Sequence, residues 1–471
     1  MRPLVLLLVI LLAACASDRG MSHRSTPTEP AALQLERSLN EQAASGEWPQ
    51  LDWWQRYGDA QLDRLMDEAL GGAPNMRLAQ ARLDLARAQA QIARAPLGPQ
   101  VNADASVGRQ RFSGNYIFPP PIGGSTFTTT QLDAAASWDP DFWGRNRAAY
   151  EAALGRERAA QAEAFAARLV LSASVANVYV QLARAYDQLD LARRSLDDRT
   201  RVQSLTEQRT RAGLDSRLEL KQVETSIPAA RARIAQVEED IALARSQLAA
   251  LLGKGPDRGL ELERPTLHPT SVALPSRVPA DLLGRRPDIV AARARVEAAS
   301  RDIASAKAAF YPDISLTALI GVQSVTLSKL MQAGSAIPSV GAAVRLPIFD
   351  AGRLRGNLAA RNADYDVAVE QYNQALADAL REVVDQLTSM RSVQTQRGEA
   401  DAALASAEEA YDLAVTRYKA GLGSLLQVLS AETSVLEQRN VRAELQSREL
   451  ALSINLIRAL GGGFDVQVAM Q

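Results

Sequence analysis

The spacing of apolar residues divides this chain into long helical tracts and short alternating ones. From residue 146 to 211 the spine Phe165, Leu169, Ser172, Val175, Tyr179, Leu182, Tyr186 and Leu189 steps by three and four, the seam of helices packed at shallow angles. About 65 residues at 1.5 Å each predict about 100 Å of helix, too long for a compact core. Gly213 then permits a reversal, and Leu220, Val223, Ile227, Ala230, Ile234, Val237, Ile241 and Leu248 carry the pattern back to Gly253. Pro228 lies within this return helix and predicts a bend, since its ring removes a backbone donor.

The plan then repeats. Around Gly213 the chain reads TRAGLDSRLELKQVET, and 208 residues later RYKAGLGSLLQVLSAET carries Gly421 and Gly423 at the equivalent bend. Pro74 and Pro99 recur as Pro287 and Pro312, and Pro140, Phe142, Gly144 and Arg145 as Pro347, Phe349, Gly352 and Arg353. The second long tract, through Leu358, Tyr365, Val369, Tyr372, Leu376, Leu380, Val383, Leu387 and Met390, is the clearest periodic segment. The predicted organisation is a signal peptide (1–14), a tether (15–50), a first repeat (51–253), a Pro/Gly-rich linker (254–284), a second repeat (285–463) and a tail (464–471). Each repeat holds a helix, a β-hairpin (100–140; 312–348) and a long helical hairpin (145–253; 352–461). The first helix, WWQRYGDAQLDRLMDEAL, is expected to break at Gly71-Gly72, and the next to start at Pro74.

Between the helices the period changes to two. Val101, Ala103, Ala105 and Val107 alternate with Asn102, Asp104 and Ser106; Leu132, Ala134 and Ala136 follow a loop from Ile117 to Gly124. Segments Asp313–Gln323 and Ser339–Leu346 repeat the pattern. Such strands fit either an outer-membrane barrel or a soluble two-stranded flap. In the barrel reading, four strands leave open edges whose backbone groups lipid cannot satisfy. Bacterial barrels need about eight strands or more, so two or three protomers would have to pool theirs.

Composition narrows the function classes. Of 471 residues, 23% are charged with a net charge of −1, which gives no electrostatic case for nucleic acid. The two histidines, His23 and His268, fall in the tether and linker with no cysteine partner for a metal cluster. Gly253-Lys254-Gly255 lacks the spacing of a phosphate loop, and neither an enzyme nor a cofactor is expected. No stretch after residue 14 holds eighteen consecutive apolar residues. At the start, Arg2 precedes LVLLLVILLAA, shaped like a signal-peptide core. It ends Leu12-Ala13-Ala14-Cys15, like a lipoprotein cleavage box, and Cys15 is the sole cysteine. Ala16 follows where an aspartate would favour inner-membrane retention, so a covalent lipid on Cys15 points to the outer membrane.

With these features in place, three stretches carry a family resemblance. Leu282–Leu316 (LLGRRPDIVAARARVEAASRDIASAKAAFYPDISL), Leu346–Tyr372 (LPIFDAGRLRGNLAARNADYDVAVEQY) and RYKAGLGSLLQVLSAE resemble the outer membrane factors of tripartite efflux systems, in the OprM- and NodT-like lipoprotein branch. The resemblance implies a mainly α fold with a membrane β-barrel contribution. It implies a homotrimer with a shared 12-stranded barrel in the outer membrane and a periplasmic α-barrel of twelve helices. It also implies a passive exit duct meeting a periplasmic adaptor and an inner-membrane pump, usually of the resistance–nodulation–division class. A type I protein-export channel shares the fold and stays open as an alternative. A lipidated periplasmic adaptor fits less well, since it carries a single long hairpin.

The resemblance also implies a gate at the bends. Tyr418 matches a tyrosine that bonds to an acid on the outer hairpin, and Glu219 occupies the acid's position, six residues past Gly213, with Asp215 in the outer turn itself. The aspartates that ring the constriction in well-known members correspond to Gln427 and Ser430, and Gly423 stands where others carry arginine or aspartate. The closed state is therefore expected to rest on Leu422, Leu425 and Leu426 together with a Tyr418–Glu219 contact beside Gly421. For the anchor, Cys15→Ser is expected to abolish acyl labelling while much of the protein stays membrane-bound, because single acyl chains bind only modestly. Labelling of that variant with a radioactive fatty acid would refute the assignment.

Overall fold

The computed structural model describes residues 20–29, 32–33, 46–268 and 283–469. Its helices are α1 (Ala60–Gly72), α2 (Pro74–Arg94), α3 (Arg145–Arg211), α4 (Arg217–Leu251), α5 (Pro287–Ala308), α6 (Arg353–Lys419) and α7 (Leu425–Ala459), with short turns at Asp257–Leu260 and Val466–Ala469. The strands are β1 (Gln100–Arg111), β2 (Thr126–Trp138), β3 (Asp313–Ser324) and β4 (Ser339–Arg345). The repeat is thus visible as equal element lengths: α3 and α6 have 67 residues each, α4 and α7 have 35 each. α4 runs unbroken through Pro228, so the expected bend does not end or divide the helix.

The chain forms two compact units that cut across the repeats. Of the described residues, one takes 20–27, 82–160 and 291–373; the other takes 28–29, 32–33, 46–81, 161–268, 283–290 and 374–469. The cause is plain in the connectivity: each repeat supplies one strand pair and one helical bend, and like parts associate with like.

In the first unit all four strands join one antiparallel sheet of order β1-β2-β3-β4. Its register sorts the side chains by period two. Val101, Ala103, Ala105 and Val107 sit opposite Ala136, Ala134, Leu132 and Thr130. The row continues through Ile320, Ala318 and Leu316 of β3 to Val340 and Ala342 of β4. The other face carries Asn102, Asp104, Gln131, Asp133, Gln323 and Asp313. β1 and β4 are open edges of the protomer's sheet.

This unit also holds part of the segment expected to be a loose tether. The backbone N–H groups of Arg24 and Ser25 both donate to Asp366 Oδ1 at 2.8 Å, and the His23 ring stands 4.3 Å from that of Tyr365. Met21 packs against Ile303, Ala306 and Leu358. Residues 20–26 are therefore a strap along α6; Cys15 lies outside the described residues.

The second unit is built on the apolar seams. Val175, Tyr179, Leu182 and Leu189 of α3 meet Val237, Ile241 and Leu248 of α4, Ile454 and Ile457 of α7, and Leu62, Leu65 and Met66 of α1. One window of α3 reaches a mean hydropathy of 1.3, enough to pass for a membrane span by composition, but half of it is buried in this unit's core and its neighbours. The segment expected as one helix from Trp53 is two pieces, because Gly58 adopts φ 65° and Asp59 caps α1 afresh. The helix then continues through Gly71-Gly72 and stops at Ala73, ahead of Pro74.

Asp59 is a hub as well as a cap. Its carboxylate accepts from the N–H groups of Gln61 (2.9 Å) and Thr266 (2.7 Å) and from the Tyr179 hydroxyl (2.8 Å). Burial alone pushes its carboxyl up, but the Thr266 and Tyr179 bonds outweigh that and hold it below the ordinary value. Thr266 belongs to the stretch expected as a linker. Residues 261–268 instead pack down, with Leu262 in the core and the His268 N–H bonded to the Tyr57 carbonyl.

The helix ends recur as one motif. At Gly253 and Gly461, as at both bends, a glycine with φ between 71° and 92° donates to the carbonyl three residues back, and the next N–H to the one five back. A Cβ at Gly461 would stand 1.8 Å from the Arg285 carbonyl oxygen, whereas one at Gly71 meets nothing within 4 Å. Gly461→Ala is therefore expected to lose about 2 kcal/mol or more, and Gly71→Ala to be neutral or gain about 0.5 kcal/mol. Midpoints of thermal unfolding in detergent would check both.

Candidate functional site: the paired helical bends

The two bends are local duplicates. α3 ends with Gly213 N–H bonded to the Thr210 carbonyl and Leu214 N–H to that of Arg209; α6 ends with Gly421 to Tyr418 and Leu422 to Arg417. Ser216 and Ser424 then start α4 and α7 in capping boxes with Glu219 and Gln427. Glu219 accepts from the Ser216 N–H at 2.9 Å and also from its hydroxyl. Gln427 Oε1 accepts from the Ser424 N–H at 3.3 Å. These two positions, assigned by resemblance to the latch and to the carboxylate ring, thus spend their side chains on their own helix starts.

The tie between the bends lies elsewhere. The Tyr418 hydroxyl donates to Asp215 Oδ2 at 2.5 Å, not to Glu219, which corrects the expected contact. The physical reason is reach and competition: Glu219 is already held by Ser216, while Asp215 sits in the turn itself. Arg209 locks the acid from the other side, with Nε to Oδ2 at 2.8 Å and Nη2 to Oδ1 at 3.2 Å. Its Nη1 donates to the Tyr418 carbonyl at 2.8 Å, and its guanidinium stands 4.4 Å from the tyrosine ring centre. Thr206 Oγ1 lies 3.1 Å from the same hydroxyl. Tyr418 is 1% exposed and packs with Val202, Val223, Leu425 and Val428.

Charge follows geometry. The Arg209 guanidinium holds the Asp215 carboxyl below its ordinary 3.8, against a smaller upward push from burial and with help from the Tyr418 hydroxyl. Burial first, then the bond to Asp215, push Tyr418 up. Asp215 is therefore ionised and Tyr418 neutral at any physiological pH.

Of the leucines expected to close the end by packing, only Leu425 is buried within the protomer. Leu422 and Leu426 are 73% and 68% exposed, as are their repeat counterparts Leu214 and Leu218 at 66% and 63%. Gln427 and Ser430 are exposed as well. At Gly423 a Cβ would meet Arg417 Cβ and Gln427 Oε1 at 3.2 Å and Tyr418 N at 3.3 Å. That crowding favours a glycine at this position.

A second tie escaped the sequence reading. Arg199 of α3 donates from Nε to Glu432 Oε1 of α7 at 2.9 Å, and from Nη1 to the Ser226 carbonyl of α4. Glu432 is 4% exposed, and burial raises its carboxyl despite Arg199. The signal was present, since Leu425, Val428, Glu432 and Val435 form one seam with a charge at an apolar position. Arg209 had no such signal, because the repeat counterpart of its partner Asp215 is Gly423, so the duplication does not repeat the pair.

Comparison with known proteins decides what these bends belong to. The sequence profile described as "Outer membrane efflux protein" matches residues 65–254 and 278–462, one block per repeat. The chain belongs to that family. It is 36% identical to the fusaric acid resistance protein FusA of Burkholderia cepacia, over 98% of this chain and 88% of that one. It is 32% identical to the multidrug resistance outer membrane protein MdtP of Escherichia coli K12, over 97% and 94%. The crystal structure of the outer membrane protein VceC from Vibrio cholerae superimposes with a TM-score of 0.85 at 39% identity, covering 89% of this chain and all of that one. The fold of this family is the trimeric channel with a helical barrel and a β-barrel, placed in the outer membrane and extending into the periplasm. Its members serve tripartite efflux with adaptors and inner-membrane pumps.

Removing parts of the tie is expected to give graded effects. Tyr418→Phe deletes one hydrogen bond of about 0.5–1.5 kcal/mol and should raise single-channel conductance modestly. Asp215→Ala removes the acceptor shared by Arg209 and Tyr418 and leaves the half-buried guanidinium without its counter-charge, and should raise it more. Because Asp215 is depressed in the folded state, its contribution is complete above 3.8 and fades as pH falls through the lower folded value. Conductance of the unmodified channel should therefore approach that of Asp215→Ala only below about pH 4.

Proposed function

We propose that three copies of this chain form a passive exit duct for small toxic organic compounds, loaded by an inner-membrane pump of the resistance–nodulation–division class through a periplasmic adaptor. The observation that carries this reading is the pair of duplicated bends tied by Tyr418, Asp215 and Arg209. Such a tie holds the end shut by a few bonds that a docking partner can exchange. Relatives whose names speak of fusaric acid and multidrug resistance support small organic substrates over exported proteins. The exposed leucine pairs at each bend, flanked by Arg211, Arg217 and Arg417, suit an apolar hairpin tip with acidic flanks. Acyl chains on Cys15 would add a membrane anchor at the head of the strap formed by residues 20–26.

Reconstitution in a host lacking its own outer-membrane channel, with candidate pumps and adaptors, tests the reading. Restored resistance to small organic toxicants without restored protein secretion is the expected result; the reverse would establish the type I export alternative. The lack of a carboxylate at Gln427 and Ser430 adds a second test. Periplasmic multivalent cations should block the unmodified channel weakly, and Gln427→Asp should introduce block, because a threefold ring of acids concentrates negative potential. Strong block of the unmodified channel would place another acid at the aperture.

A further inference from the structure

The sheet's apolar face ends differently at its two ends. At the end joined to the helices it finishes in Trp138, opposite Leu316 of β3, with the exposed Trp143 stacked on Tyr311 beyond it, ring centres 4.8 Å apart. At the loop end the row that begins with Val101 runs on through Val107 to Arg109 and Arg111, opposite Thr128 and Thr126. These two arginines are the only charged residues of the four strands on that face; Asp104, Asp133, Asp313 and Arg345 all belong to the opposite one. Both arginines are exposed, as are Thr126 and Thr128. The turn Leu327–Lys329, which brings a third cation, packs against β2 near this end.

The spacing sets where they lie in a membrane. From the level of Trp138 to Arg109 is ten residues of strand, about 34 Å at ~3.4 Å per residue. At a tilt of about 40° this is about 26 Å of height, the thickness of an outer-membrane apolar band of about 25 Å. Every position of that face between the two levels on β1 is Ala or Val. Arg109 thus falls at the outer boundary, where a cation on the lipid face is tolerated, rather than at the midplane, where it is not. Two guanidinium groups on alternate residues of one strand, about 6.8 Å apart by strand rise, can each fork onto a phosphate. The threonine hydroxyls beside them supply neutral donors.

We propose that Arg109 and Arg111, with Thr126 and Thr128, form a binding site for the phosphates of the anionic glycolipid in the outer leaflet, three such sites per trimer. The site fixes the depth of the barrel by pairing a cationic outer rim with the aromatic inner rim of Trp138 and Trp143. Lys329 adds charge to it without the geometry for a bidentate contact.

Native mass spectrometry of the full-length trimer in detergent, titrated with bisphosphorylated lipid A, tests the site. R109Q/R111Q is expected to keep the trimer and weaken lipid A binding by about tenfold or more, and R109K/R111K to weaken it less. Lipid A stripped of its phosphates should bind the unmodified protein no better than lipid A binds R109Q/R111Q. Arg353→Gln, an exposed charge at the start of α6, controls for the loss of a cation and should change nothing. Unaltered lipid A binding by R109Q/R111Q, or equal binding of the dephosphorylated lipid, would overturn the proposal. So would phosphatidylglycerol binding as tightly with the same sensitivity to the variants, since the site would then not select the outer leaflet. Dissociation of the double variant, and of R109Q and R111Q singly, in the absence of lipid A would instead assign the arginines to the protomer contact.

Discussion

Unpaired backbone at the two edges of a four-stranded sheet is the constraint on which this protein depends. Among the described residues β1 and β4 each have a neighbouring strand on one side only, and present a row of N–H and C=O groups on the other. In hydrocarbon each such group costs several kcal/mol, so the sheet is stable there only when other copies close it. The trimeric channels of this family meet that demand. Oligomerisation is thus a consequence of strand count.

The register of the same sheet decides what faces lipid. Because side chains alternate strictly, fixing one pair fixes the rest: Ala103 opposite Ala134 places Asp104 opposite Asp133 on the polar face. Gly321 completes that polar row, since a Cβ there would stand 2.5 Å from Asp133 Cβ. On β1 the apolar face remains uninterrupted until Arg109, so the height of the membrane zone is written in the number of residues between aromatic and basic ends.

At the helical bends the controlling interaction is the carboxylate of Asp215, shared by Arg209 and Tyr418. It joins a turn of one repeat to a buried tyrosine of the other, so neither bend can shift without breaking a charge-assisted bond. Arg199 and Glu432 form a further tie between the repeats along the same helices. Their carboxyls respond oppositely to the protein: Arg209 lowers Asp215, whereas burial raises Glu432. The strength of the shared tie is therefore set by polar contacts and not by the leucines around it, since Leu214, Leu218, Leu422 and Leu426 point to solvent and only Leu425 is buried.

The sequence alone determined the duplication, the lengths of the helices, the four strands and their apolar face, and the position of both bends. Each of these follows from local periodicity or from a glycine in the left-handed region, and needs no distant partner. Thus Leu358, Val369, Leu376 and Val383, read as a seam from spacing, are all buried. Tertiary structure alone decided which acid meets Tyr418, because Glu219 and Asp215 are both near in sequence and only the capping box of Ser216 removes one of them. It also decided that residues 20–26 lie along α6 and that Thr266 ties the supposed linker to Asp59, since both contacts use backbone groups that carry no signature in the side-chain pattern. Periodicity reports which face of an element is buried; it does not report which polar group, far along the chain, will satisfy the ones left over.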